Sequence, residues 1–295
     1  MLRKSAVVAL MVTSALALPG WAQEQEKERT IPLRSFDRFE LDSEAVNGLW
    51  AEAGTLLEKK KDPAPGGRIE TDAKTAFARL AYGGNDSWEA DLLVPYHFVD
   101  ADLKAGGGES DFASGEGIGD VQLSGKYVPI RGKVMDLGIG GLLSLPSGDD
   151  KKGFGAGELG GMPFVTGTMH VAVAELRAHV GAEFFTGSSH GGQATDRIVY
   201  GFDLIAPLCK YASLRNEFSG TNFRDLPNSP KAVSYLPGLD IRVPIGGWDV
   251  LLRPTGLIGI TSQAPDWGFG GSVVIASPTM RAPAGAAGPG GVVVE

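Results

Sequence analysis

Four scarcities in this 295-residue chain each remove a class of protein. There is one cysteine, Cys209, so an internal disulfide, a CxxC redox pair and a cysteine-rich zinc site are impossible. The four histidines, His97, His170, His179 and His190, include no i, i+4 pair, so no metal centre is expected. Positive charge is short as well. Against 35 Asp and Glu stand only 27 Lys and Arg, a formal charge of -8, and nucleic-acid affinity needs clustered cations on phosphates, so nucleic acid is excluded as a partner. Beyond the N-terminal segment, no apolar run approaches the roughly 20 residues of a membrane helix. A helical membrane protein is therefore excluded.

Glycine is abundant: 43 residues, about 15% of the chain and roughly double the usual share. The glycines show no three-residue period, which excludes collagen. A mean hydropathy of -0.01 is too high for a disordered chain. The chain therefore packs a core or sits in a membrane.

The N-terminus places Arg3 and Lys4 before an apolar stretch from Ala6 to Pro19, followed by Gly20 and Ala22 around Trp21. This reads as a secretory signal peptide over 1–22, cleaved after Ala22; the rival is a retained helical anchor. Residues 23–47 are charged and lack alternation, as expected of a periplasmic arm. The segment 278–295, with APAGAAGPGG, reads as a low-complexity tail.

Between these ends the hydropathy has period two. In Ala174 to Phe184 the even positions are Ala174, Leu176, Ala178, Val180, Ala182 and Phe184, and the odd ones Glu175, Arg177, His179, Gly181 and Glu183. Such a segment is a strand with one oily and one charged face. Trp88 to Val94, Val121 to Tyr127, Ile198 to Leu204, Leu239 to Val243 and Trp248 to Leu252 alternate in the same way.

Alternation alone does not say which face points inward. A soluble barrel buries the oily face, whereas an outer-membrane barrel turns it to lipid and lines its interior with the charged one. The export signal, the aromatic residues near segment ends (Trp88, Tyr127, Phe184, Trp248, Trp267) and the alternation of short and long connections favour the membrane version. Short connections are expected at 83–86, 131–132, 246–247 and near Met169 and Leu208. Long ones are expected at 99–116, 147–157, 187–195, 220–234 and 261–265. Eleven strands follow from the pattern. Short turns facing the periplasm require one more before Tyr82, over Leu49 to Lys60, where Val46, Leu49, Trp50, Ala53 and Leu57 also fit an amphipathic helix. The expected fold is an all-β transmembrane antiparallel barrel of about twelve strands over residues 48–277, in the outer membrane of a Gram-negative bacterium.

Two stretches are more specific. GEGIGDVQLSGKYVP followed by LGIGGLLSLPSGDD, and later YLPGLDIRVPIGGWDVLLRPTGLIGITSQAPDWGFGGSVVIA, resemble the outer-membrane family named for the meta-pathway of phenol degradation. The matching positions are Gly117, Gly119 and Asp120; Leu145, Pro146, Ser147 and Gly148; and Pro265, Asp266 and Trp267. The resemblance covers roughly residues 75–277 and implies a transporter of small solutes, with aromatic or hydrophobic compounds suggested by the family name. It implies no shared catalytic motif. Outer-membrane barrels commonly end on an aromatic residue that the barrel assembly machinery reads, whereas this chain runs on past Val274 into its tail.

The remaining chemical signals have plainer readings. Gly155 to Gly160 fits GxGxxG, but a charged loop precedes it and a strand-like segment follows, so it is a glycine loop and no cofactor is expected. Asp149 and Asp150 beside Lys151 and Lys152 read as a solvated loop. Ser188, Ser189 and His190 lack a nucleophile elbow, which leaves a barrel-embedded hydrolase as the lesser alternative and no catalytic residue. Cys209 reads as a small apolar residue.

In the barrel reading Arg79, Glu89, Asp91, Lys126, Glu175, Arg177, His179, Glu183, Asp203, Arg215, Glu217, Asp240, Arg242, Asp249 and Arg253 point inward. Isolated charges in a dry interior are prohibitively costly, so these are either hydrated or paired. Hydration makes a passive conduit for small solutes. Pairing makes a closed structural or surface-interaction barrel. The partners expected are outer-membrane lipid, the barrel assembly machinery and small-molecule solutes.

Overall fold

The computed structural model describes residues 48–276 apart from 65–66, 85–86, 106–107, 187–195, 224–230 and 246–247. The expected signal peptide, periplasmic arm and tail, and Ser188, Ser189 and His190, lie outside the described residues.

Thirteen strand segments follow in order: β1 (Gly48–Ala64), β2 (Gly67–Gly84), β3 (Trp88–Ala105), β4 (Gly108–Ile118), β5 (Val121–Ile130), β6 (Met135–Leu145), β7 (Gly160–Val171), β8 (Ala174–Phe185), β9 (Arg197–Cys209), β10 (Ala212–Phe223), β11 (Lys231–Ile245), β12 (Trp248–Gly259) and β13 (Trp267–Ala276). Neighbours in sequence pair antiparallel except β4 with β5, and β1 pairs with both β2 and β13, which closes the sheet. β4 and β5 are successive lengths of a single stave: both pair with β3, one from Tyr96 upward and the other up to Leu93. The wall is thus a closed barrel of twelve strands.

Closure leaves no free edge in the twelve-strand wall through the band, β4 alone keeping one beyond it, and that is the condition for a β-structure to exist within lipid. Here the oily face is outside. Leu80, Leu123, Ile139, Leu143, Val165, Val180, Leu252 and Val273 are large apolar side chains exposed on the outer surface. Two aromatic girdles bound this band: Tyr82, Trp88, Tyr127, Tyr211 and Trp248 at the short-turn end, and Phe184, Trp267 and Phe269 toward the long-loop end. Ten residue steps separate Trp248 from Ile258, the register partner of Trp267. At about 3.4 Å per step and a tilt of about 35–45°, that is about 25 Å, the height of a transmembrane barrel's apolar band. The fold is a transmembrane β-barrel.

One segment settles an alternative left open by the sequence, and another differs from the sequence pattern. The stretch 49–60 is strand β1, with Trp50, Glu52, Gly54 and Leu56 on one face, so period two prevails over the helical spacing of Leu49, Ala53 and Leu57. The long loop expected at 99–116 is mostly strand. β3 and β4 extend past the band as a hairpin in which Asp100 faces Ser114, because backbone pairing stabilises the ladder even where side-chain polarity gives no amphipathic signal.

Large interior rings are accommodated by glycines opposite them. A Cβ on inward-facing Gly140 would strike the Phe164 ring and lie 2.6 Å from the Gly125 carbonyl oxygen. Gly140→Ala is therefore expected to destabilise the barrel by about 1–3 kcal/mol, as overpacking does. Urea titration of the barrel in lipid vesicles, read by gel mobility, would measure it; an unchanged midpoint would show that Phe164 can turn aside.

Candidate functional site

The interior is layered along the barrel axis. Nearest the short turns is an apolar layer of Trp50, Ala81, Ile205, Leu251 and Val274, with Trp50 only 1% exposed. Strand pairing brings these together, since Trp50 faces Ala81 on one side and Ala276 on the other, while Leu251 faces Val274. On the long-loop side a second apolar layer contains Leu236 and Leu257 with Leu56 and Phe77 against them. A further cluster joins Leu142, Met162, Phe164 and Val199. Charge occupies the level between.

That charged level is a belt of both signs. Arg79 bonds Asp91 through its Nε and lies 4.0 Å from Glu89, which Lys126 approaches at 3.7 Å. The Arg79 guanidinium also sits 5.0 Å from the centre of the Trp50 ring, so the belt rests on the apolar layer beneath. Glu52 accepts a hydrogen bond from Ser272 Oγ and from Arg253 Nη1 at 3.3 Å. Arg253 Nε donates to Asp240 at 3.1 Å, and Arg215 Nε lies 3.5 Å from the same carboxylate oxygen. Arg215 also donates to Glu217 at 3.0 Å and to Thr255 Oγ1 at 2.8 Å. Glu217 faces Asp203 in register, Asp203 faces Arg177, and Arg177 donates to Glu175 at 2.6 Å.

The strand period explains the belt. Inward positions recur every second residue, so Arg215 and Glu217, or Glu175 and Arg177, stack on one strand while cross-strand register supplies the next partner. The residues Arg79, Glu89, Asp91, Lys126, Glu175, Arg177, His179, Asp203, Arg215, Glu217, Asp240 and Arg253 all lie in this buried interior. Toward the ends, Glu183 pairs with half-exposed Arg197, and Arg242 makes a two-point contact with Asp249 at 2.8 and 2.9 Å. His179 lies flat over Gly201, where a Cβ would collide with its ring.

Glu52 has no place among the inward charges expected from sequence, because the helical spacing of its segment obscured the alternation of Trp50, Glu52 and Gly54. Arg197 alternates with Ile198 and was legible from the same pattern. Among the plainer signals, Gly155 to Gly160 runs from a loop into β7 rather than into a helix. Asp149 caps a single 3-10 turn, accepting from the N–H groups of Lys151 at 3.1 Å and Lys152 at 3.3 Å. Cys209 is exposed where β9 ends and forms no disulfide with the described residues.

Removing charges from water costs several kcal/mol per ion, which Coulombic attraction offsets only where geometry is close and further hydrogen bonds are made. The belt meets that condition by giving Arg215 and Arg253 two or more acceptors each. Between the two options for the interior charges, the contacts are those of pairing.

No protein-family profile matches the chain, and no curated protein matches it. Solved structures do. The COG4313 outer membrane channel from Pseudomonas putida F1 superposes with a TM-score of 0.58 at 12% identity, over 83% of this chain and all of that one. The NanC porin covers 78% of this chain and 99% of its own at 9% identity, with a TM-score of 0.48. The translocator domain of the autotransporter NalP from Neisseria meningitidis covers 78% and 88% at 15% identity, with a TM-score of 0.46. At these identities the likeness is one of fold.

Proposed function

We propose that this chain is an exported outer-membrane protein that acts as a passive channel for small solutes, narrow at rest because paired charges cross its lumen. The observation that carries the reading is the belt itself: its charges are paired, so the lumen is narrow at rest, and conductance decides between this conduit and the closed structural barrel that pairing alone would make. A barrel serving only as a wall could fill its interior with apolar side chains, at lower desolvation cost than ionised groups. Agreement in shape over 83% of this chain with the whole of a protein described as an outer membrane channel supports the same reading. The residues lining the conduit are then Arg79, Glu89, Asp91, Lys126, Glu175, Arg177, His179, Glu183, Asp203, Arg215, Glu217, Asp240, Arg242, Asp249 and Arg253, together with Glu52. The apolar layer of Leu56, Phe77, Leu236 and Leu257 above the belt suits hydrophobic or aromatic solutes, the class that the resemblance to the phenol meta-pathway family implies. Residues 1–22 are the export signal in this reading, and the barrel assembly machinery is the partner that inserts the strands.

Glu52, Glu89, Asp91, Glu175, Asp203, Glu217 and Asp240 outnumber Arg79, Lys126, Arg177, Arg215 and Arg253 at the belt. The expected conductance in planar bilayers is therefore small and cation-selective, because a net negative lumen attracts cations and repels anions. Arg177→Gln should raise the cation preference further, read as a larger reversal potential under a salt gradient. A band shifted by heating on gels, with no conductance from wild type or any belt variant, would instead identify a closed structural barrel.

A further inference from the structure

The stave that changes from β4 to β5 does so at Gly119 and Asp120, and the break has a purpose in three dimensions. β6 pairs with β5 only up to Val121, opposite Leu145, and in the described pairings β4 is joined to β3 alone. The space beside β4 is taken by the loop 146–159. One carboxylate clasps that loop at both ends: Asp120 Oδ1 accepts from Gly148 N–H at 3.0 Å, and Oδ2 accepts from Ala156 N–H at 2.7 Å. Ser147 Oγ completes the clasp, accepting from Val121 N–H at 2.9 Å and donating to the Gly119 carbonyl at 3.0 Å. Gly148 and Gly155 then lie in contact, where a Cβ on either would meet the other's backbone at 2.8 Å.

Closing the loop in this way turns Phe154 inward. Its side chain is buried, although the loop that carries it has exposed lysines at Lys151 and Lys152. The ring lies on Gly115 and Gly117, where added Cβ atoms would stand 3.1 and 3.0 Å from it, and stacks near His97 at 6.3 Å between centroids and 13° between planes. His97 is held by Thr75 Oγ1 at 3.0 Å and itself lies across Gly119. The alternate glycines of Gly115-Glu116-Gly117-Ile118-Gly119 all face inward, so they form a side-chain-free slot for these two rings. Two motifs separated by some thirty residues are thereby one device: the Gly-Asp strand supplies slot and clasp, and Pro146-Ser147-Gly148 with Phe154 supplies the loop and its ring.

We infer that Phe154, seated on the inner wall by the Asp120 clasp, is the specificity-determining constriction at the long-loop mouth of the lumen. Asp120 is the positioning residue. A flat aromatic edge beside glycine backbone presents a narrow, largely apolar opening, which passes slim apolar or aromatic solutes more readily than hydrated ions. This inference rests on the channel reading above.

The test uses the full mature chain in lipid, with Cys209→Ser as background. Phe154→Ala should raise the bilayer conductance several-fold and admit larger sugars in liposome-swelling assays, with the heat-shifted band retained. Separately, Phe154→Cys should react slowly with an added maleimide. Adding Asp120→Ala should speed that reaction several-fold, while Asp120→Asn, which keeps one acceptor oxygen, should fall between. Wild-type conductance that Phe154→Ala leaves unchanged would overturn the constriction and leave the channel standing. Fast labelling with Asp120 intact would overturn the clasp. No conductance from wild type, Phe154→Ala or Arg177→Gln alike would overturn the channel reading, and the constriction with it.

Discussion

Replacing Arg253 by alanine is expected to cost the folded barrel about 3–5 kcal/mol, the effect of removing one member of a buried ion pair and leaving the others uncompensated. Arg253 is 1% exposed and bridges Asp240 at 3.1 Å to Glu52 at 3.3 Å, joining strands β12, β11 and β1. Its loss strands two carboxylates in the interior, since Ser272 alone cannot neutralise Glu52 and Arg215 must then serve both Glu217 and Asp240. The measurement is a urea midpoint in lipid vesicles, with the heat-dependent gel shift as the folded-state marker. A combined Glu52→Gln, Asp240→Asn, Arg253→Met variant should recover most of the loss, because near-isosteric neutral groups escape the desolvation penalty. If Arg253→Ala were as stable as wild type, the carboxylates would be hydrated and the lumen open to water at rest.

Leu252→Arg is the second large effect, and it tests the membrane rather than the interior. Leu252 is exposed on the outer face opposite Val273, about midway between the Trp248 and Trp267 girdles. An arginine at the bilayer midplane of a barrel costs about 2–4 kcal/mol, falling to about 0–1 near the interface. Ile245→Arg, at the short-turn rim beside Trp248, should therefore be nearly neutral. The contrast between the two, measured by unfolding from vesicles, is the expected result. Equal and negligible costs at both sites would mean that the outer face meets water, and the chain would be a soluble barrel.

Much of the wall was legible before any coordinates. Ala174 to Phe184 declared a strand, and its odd positions Glu175, Arg177, His179 and Glu183 a common face, because strand geometry converts sequence parity directly into direction. The same rule faltered where side chains satisfied two periods at once. Leu49, Ala53 and Leu57 fit a helix turn, so Glu52 was hidden until pairing with β2 and β13 settled the period. It faltered again over 99–116, where a sequence rich in Asp, Ser and Gly leaves no alternation of apolar and polar residues to read. Gly117, Gly119, Asp120 and the Leu-Pro-Ser-Gly segment stood out as motifs, but nothing in either stretch said that the two touch.

The order of residues alone determined that the wall is a barrel of about twelve strands with one charged and one oily face, since that information is local and repeats every two residues. Tertiary structure decided that the charges are paired, that they form a belt between two apolar layers, and that one aspartate folds a loop onto the inner wall. Those outcomes depend on contacts such as Arg253 with Glu52, 201 residues apart. Closure of the ring and the exact register across twelve strands set such distances, and no window of sequence contains them.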